Sequence, residues 1–113
     1  MTQQLSPILQ NLRYQMEMLY QDRLHSLILF GSQARGDSNI DSDIDILIVL
    51  KDDIDSWTEI KRTGGIISQI CLDHSILVSS LFVSVKQFIT QDTALFRNIK
   101  KEGKYICQTN KSS

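Results

Sequence analysis

The stretch Asp43-Ile44-Asp45-Ile46-Leu47-Ile48-Val49-Leu50 constrains the fold more than any other part of the chain. Ile44, Ile46, Ile48 and Leu50 alternate with Asp43, Asp45, Leu47 and Val49, which is the period of a β-strand. Both faces of such a strand are largely apolar and therefore buried, and its acids are concentrated at its entrance. Residues i and i+2 of a strand point to the same face. The carboxylates of Asp43 and Asp45 thus project together, about 6 to 7 Å apart along the strand. Two anions held that close repel unless a cation neutralises them. The bland alternative is an exposed acidic strand end, but acids are disfavoured in strands and two of them ask for a reason. Mg²⁺ fits, because it takes hard oxygen ligands and is commonly held by one or two carboxylates together with substrate phosphates. An EF-hand reading of Asp41, Asp43 and Asp45 fails, since Ile46 stands where that loop needs glycine and Asp52 stands where it needs glutamate.

Upstream, Leu24 to Phe30 carries the apolar run Leu27-Ile28-Leu29-Phe30 and predicts a buried strand ended by Gly31. Gly31 to Ser42 is polar and reads as a loop with room for one helical turn. Glycine at 31 lets the backbone turn sharply and come close to a ligand. The N–H groups that follow, and the Ser32 hydroxyl, can donate to phosphate oxygens, and Arg35 can neutralise triphosphate charge. Gly31-Ser32 alone would be an ordinary turn. Its value lies in the spacing: the ten residues from Gln33 to Ser42 separate it from Asp43-x-Asp45. Neighbouring strands would then bring a phosphate cradle and a metal site to one end of a sheet.

Around this centre the pattern predicts further elements. Ser6-Pro7 is a helix-start signal, and Ile8, Leu9, Leu12, Met16 and Leu19 follow on one stripe of a helix ending near Gln21. Tyr14, Met16, Met18 and Tyr20 read as a packing face rather than a cofactor box. Ser56-Trp57-Thr58-Glu59 has the form of a capping box, and Trp57, Ile60, Ile67 and Cys71 continue at helical spacing. Gly64-Gly65 costs about 1 kcal/mol per glycine and makes a break there conceivable. Ser75 to Val83 predicts a third strand, Ser84-Val85-Lys86-Gln87 a second capping box, Thr93 to Glu102 a helix stopped by Gly103, and Tyr105 to Cys107 a short extended end. The order α-β-loop-β-α-β-α favours an α/β (α+β) domain with a mixed β-sheet covered by helices.

The chain has 113 residues, enough for one domain, here 1–108, with a polar tail at 109–113 expected to fray. A formal net charge of −1 speaks against a broad basic nucleic-acid footprint. Cys71 and Cys107 are too far apart in sequence for a metal-ligand spacing and read as reduced thiols. His25 and His74 have no paired ligand set. No signal peptide and no apolar run of about 20 residues is visible, so a cytoplasmic location away from membranes is the expectation.

The segments Leu29-Phe30-Gly31-Ser32-Gln33-Ala34-Arg35-Gly36-Asp37 and Ser42-Asp43-Ile44-Asp45-Ile46-Leu47-Ile48 resemble the minimal nucleotidyltransferases of the DNA polymerase β superfamily almost position by position. Thr93 to Gly103 resembles the C-terminal helix of these small proteins. The resemblance implies a nucleotidyltransferase (polymerase β-like) fold. It further implies two Mg²⁺ ions bridging Asp43, Asp45 and the triphosphate of ATP or another NTP, with Gly31, Ser32 and Arg35 holding the nucleotide. A nucleoside monophosphate would pass to an acceptor hydroxyl with release of pyrophosphate. It also implies a HEPN-domain partner and an antitoxin role; homo-oligomerisation stays open.

The superfamily usually supplies a third carboxylate from the next strand, and Asp73 in Leu72-Asp73-His74 is the acid available. Its place at a helix-to-strand turn equally suits a solvated turn residue; Ser75 or Ser79 would fill the corresponding position without basic character. Two rivals to an AMP-transferring enzyme follow: a domain that neutralises a partner by contact alone, and a small-molecule nucleotidyltransferase, for which the chain is short.

Overall fold

The computed structural model describes residues 2–35 and 43–108. Most of the loop between Gly31-Ser32 and Asp43, and the tail expected to fray at 109–113, lie outside the described residues. The elements are α1 (Thr2–Tyr20), a short 3₁₀ turn (Gln21–Arg23), β1 (Leu24–Phe30), α2 (Ser32–Arg35), β2 (Ile44–Leu50), α3 (Ser56–His74), β3 (Val78–Ser84), α4 (Val85–Thr90), α5 (Ala94–Glu102) and β4 (Lys104–Gln108). The strands form one mixed sheet in the order β3-β2-β1-β4. β1 runs antiparallel to both β2 and β4, whereas β2 and β3 are parallel and joined through α3.

β1 and β2 are the two central strands, which is why both carry apolar residues on both faces. On one face Ile44, Ile46 and Ile48 pack with Leu12, Met16 and Ile70 of α1 and α3. On the other, Leu47, Val49 and Ile28 pack with Phe88, Phe96 and Ile99 of α4 and α5. Phe88 and Phe96 meet edge to face, with centroids 5.8 Å apart, a favoured aromatic geometry.

The helices depart from the sequence pattern in instructive ways. α1 begins at Thr2, so Ser6-Pro7 is not its start. Pro7 lies inside α1, one turn past its start, and leaves the Gln3 carbonyl without its i→i−4 donor. The buried stripe is Ile8, Leu12, Met16 and Tyr20, while Leu19, Tyr14 and Met18 face outward.

In α3 the expected Ser56–Glu59 capping box does not form. Asp55 is the N-cap, and the Ser56 hydroxyl instead donates to the Phe82 carbonyl at 3.3 Å. Glu59 is buried, accepting from the Tyr20 hydroxyl at 2.6 Å and pairing with Arg23 and Arg62. Three charged or hydroxyl donors outcompete a single backbone N–H for this carboxylate. The cluster lies where Arg23 enters β1, at the end of the sheet remote from Gly31.

α3 also runs unbroken through Gly64-Gly65, where a Cβ on either residue would meet no atom of another element among the described residues. The packed side of the helix (Thr63, Ile66, Ile67, Ile70) outweighs the glycine penalty, and Trp57 and Ile60 lie exposed off that side.

β3 starts at Val78, not Ser75. Ser75 is the left-handed C-cap of α3, and the Ile76 N–H returns to the Cys71 carbonyl. The second capping box is present: the Gln87 N–H donates to Ser84 Oγ, and the Ser84 N–H donates to Gln87 Oε1. Thr93 caps α5, and Gly103 ends it. Gly103 keeps an extended backbone; what requires glycine is the close approach of Ile28 and the Ile99 carbonyl, which a Cβ would strike. The chain can therefore leave α5 directly into β4, the extended end expected at Tyr105 to Cys107, which pairs with β1. Both cysteines are free thiols, Cys107 buried and Cys71 half-buried.

Candidate active site

Pairing of β1 with β2 sets Phe30 opposite Asp45. The next residue, Gly31, turns the chain with φ +78, and its carbonyl accepts from the Ala34 N–H at 3.1 Å to open α2. A Cβ on Gly31 would overlap Asp45 Oδ2. Glycine is thus required twice here, by the positive φ and by the carboxylate lying against its Cα. The backbone of α2 places Ser32 at its first position and Arg35 at its last.

Asp43 is exposed immediately before β2, and Asp45 is half-buried as the strand's second residue. The Ile44 N–H donates to the Leu77 carbonyl at 2.9 Å, holding this end of β2 against the chain entering β3. Burial pushes the Asp45 carboxyl above its ordinary value, and the charge of Asp43 pushes it further in the same direction. Gly31 and the pair Asp43/Asp45 are therefore brought to one end of the sheet.

Asp45 alternates with Ile44 and Ile46, so it projects to the side of Leu47 and Val49, the side covered by α4 and α5. Asp73 is not brought to this pair. It stands exposed in the last turn of α3, accepting from Gln69 Nε2 at 2.8 Å, on the helix that covers the opposite side of the sheet. The strand position beside Asp45 is Ser79. Among the described residues no third Asp, Glu, His or Cys joins Asp43 and Asp45 in a metal-holding group. Two hard, mutually repelling carboxylates still suit a divalent cation whose remaining ligands come from phosphates and water.

Beside this centre, an open cleft of about 200 Å³ runs between the end of β1 and α5. Phe30, Gly31, Leu95, Asn98, Ile99 and Glu102 line it. The sequence reading did not assign α5 to the site. The available signal was Asn98 and Glu102 at i, i+4 spacing, flanking the buried Ile99.

Residues 15–112 match the family described as Polymerase beta, Nucleotidyltransferase. The chain belongs to this nucleotidyltransferase family, whose members are transferases, and its sheet and helices have that fold. A protein of Methanocaldococcus jannaschii named a protein adenylyltransferase is 34% identical over 74 residues, which cover 66% of this chain and 74% of that protein. A crystal structure of a toxin-antitoxin with AMP-PNP superposes with a TM-score of 0.63 at 19% identity, covering 90% of this chain and 74% of that one. A structure of a tri-AMPylated Shewanella oneidensis HEPN toxin in complex with an MNT antitoxin superposes with a TM-score of 0.55 at 18% identity, covering 91% and 72%. Among the described residues no helix is long and apolar enough to cross a membrane.

Proposed function

We propose that this chain transfers AMP from ATP to a hydroxyl on a HEPN-type partner, and so acts as an antitoxin. The observation that carries the reading is the Asp45 carboxylate lying against Gly31 with Asp43 beside it. Similarity to a protein adenylyltransferase and to toxin-antitoxin structures with AMP-PNP or an AMPylated toxin supports the choice of nucleotide and partner.

In this reading the N–H groups opening α2, just past the turn at Gly31, donate to the triphosphate oxygens. Arg35 offsets phosphate charge. Asp43 and Asp45 hold Mg²⁺, which when bound supplies charge stabilisation at the phosphates. Asp45, fixed in a strand with its neighbours Ile44 and Ile46 in the core, keeps the centre rigid. The acceptor oxygen bonds to the α-phosphorus as the bond to the bridging oxygen breaks and pyrophosphate leaves. The acceptor proton passes to solvent, and the strand position beside Asp45 is filled by Ser79.

A second reading, neutralisation of the partner by contact alone, is favoured by that same serine. Incubation with radiolabelled ATP, Mg²⁺ and the HEPN partner separates the two. The enzyme reading predicts label on the partner that vanishes with Asp43→Asn or Asp45→Asn. Tight complex formation without label, and neutralisation indifferent to those substitutions, overturns it.

A further inference from the structure

The cleft between β1 and α5 has a composition suited to one part of a nucleotide. Its volume of about 200 Å³ falls below the ~300–1,000 Å³ of pockets that take a whole ligand. Phe30, Leu95 and Ile99 give it apolar walls, and Asn98 and Glu102 are its polar groups. Four residues apart on α5, those two side chains are neighbours on one face of the helix. Gly31 belongs both to this cleft and to the contact with Asp45, so the cleft continues directly from the phosphate end of the site. Asn98 is exposed, and among the described residues no hydrogen bond occupies its amide.

We propose that this cleft receives the nucleobase, and that the Asn98 amide selects adenine; the proposal rests on the nucleotidyltransferase reading of the adjoining centre. An amide offers a donor and an acceptor side by side, which matches adenine's N7 acceptor and N6 amino donor. Guanine offers two acceptors, N7 and O6, on that edge and leaves the amide oxygen facing another acceptor. The apolar walls cover the base without discriminating.

The test is calorimetric titration of the full chain with Mg·ATP, Mg·GTP and Mg·tripolyphosphate, in the wild type and in Asn98→Leu. Leucine is close in size and a good helix former, so α5 is retained. The wild type is expected to bind ATP about tenfold more tightly than GTP, a discrimination of about 1.4 kcal/mol. Asn98→Leu is expected to erase that preference while tripolyphosphate binding stays as in the wild type. Equal affinity for ATP and GTP in the wild type, or an ATP preference that survives Asn98→Leu, overturns the proposal. Absence of binding by both nucleotides and tripolyphosphate overturns the reading of the centre itself, and the base pocket with it.

Discussion

The Asp45 carboxylate lies against the Cα of Gly31, so closely that any side chain at 31 would overlap it. Two segments twelve and more residues apart in sequence thereby share one point in space, set by the Phe30–Asp45 register of β1 and β2. Gly31→Ala tests this contact. Alanine would have to adopt φ +78 and displace Asp45. A loss of about 1–2 kcal/mol of stability is expected in urea denaturation, together with at least a tenfold loss of ATP affinity. Unchanged stability and affinity would mean that the contact is dispensable.

Ser79 occupies the strand position beside Asp45, and Asp73 stands on the far side of the sheet. General bases contribute about 10²–10⁴-fold to rate. Ser79→Asp, which places a carboxylate next to the centre, is expected to raise the rate of AMP transfer about tenfold or more. Asp73→Asn should leave the transfer rate within about twofold. Single-turnover assays with labelled ATP read both. A large loss in Asp73→Asn would return that residue to the chemistry.

The buried Glu59 ties α1, the entry to β1 and α3 together. Burial alone would raise its carboxyl, but hydrogen bonds from Tyr20, Arg62 and Arg23 prevail and hold it below the ordinary 4.5. A carboxylate lowered on folding stabilises the protein above its unfolded pKa and loses that contribution as pH falls through the folded one. The wild type should therefore lose stability below about pH 4.5, and Glu59→Gln should show a shallower acid slope. At neutral pH the substitution is expected to cost about 2 kcal/mol, less than for a fully buried pair because Arg23 and Arg62 are part-exposed. Parallel urea titrations from pH 3 to 7 measure both effects.

Cys107 behaves in the opposite sense. Burial, and donation of its thiol to Glu17 at 3.0 Å, push it from 9.0 up to about 11. Its protonated form is the one the fold favours, so its contribution is present below about pH 9 and fades as pH rises toward 11. Native protein at pH 8 should leave Cys107 unlabelled by iodoacetamide, with labelling on denaturation. Rapid labelling of Cys107 in the native state would contradict the burial and the hydrogen bond.

Much of this was written in local pattern. The alternation of Ile44 to Leu50 and the apolar run before Gly31 were enough to place both central strands, because a strand buried on both faces leaves little choice of period. The Ser84–Gln87 cap was legible for the same reason, being complete within four residues. What was illegible depended on distant partners. Ser56-x-x-Glu59 has the form of a cap, yet Tyr20 and Arg23, far off in sequence, claim Glu59. Leu19 looks apolar enough for the core, but Tyr20 takes the buried place because its hydroxyl has Glu59 to reach. The separation of Asp73 from Asp45 depends on which face of the sheet α3 covers, and no short motif records that.

On the proposed reading, Asp43, Asp45 and Gly31 form one nucleotide and metal centre. Titration of ATP by calorimetry, with Mg²⁺ and with EDTA, in the wild type and in the near-isosteric Asp45→Asn, tests it most directly. One saturable site that requires Mg²⁺ and weakens at least tenfold in Asp45→Asn is the predicted result. ATP binding that is indifferent both to EDTA and to Asp45→Asn would contradict it.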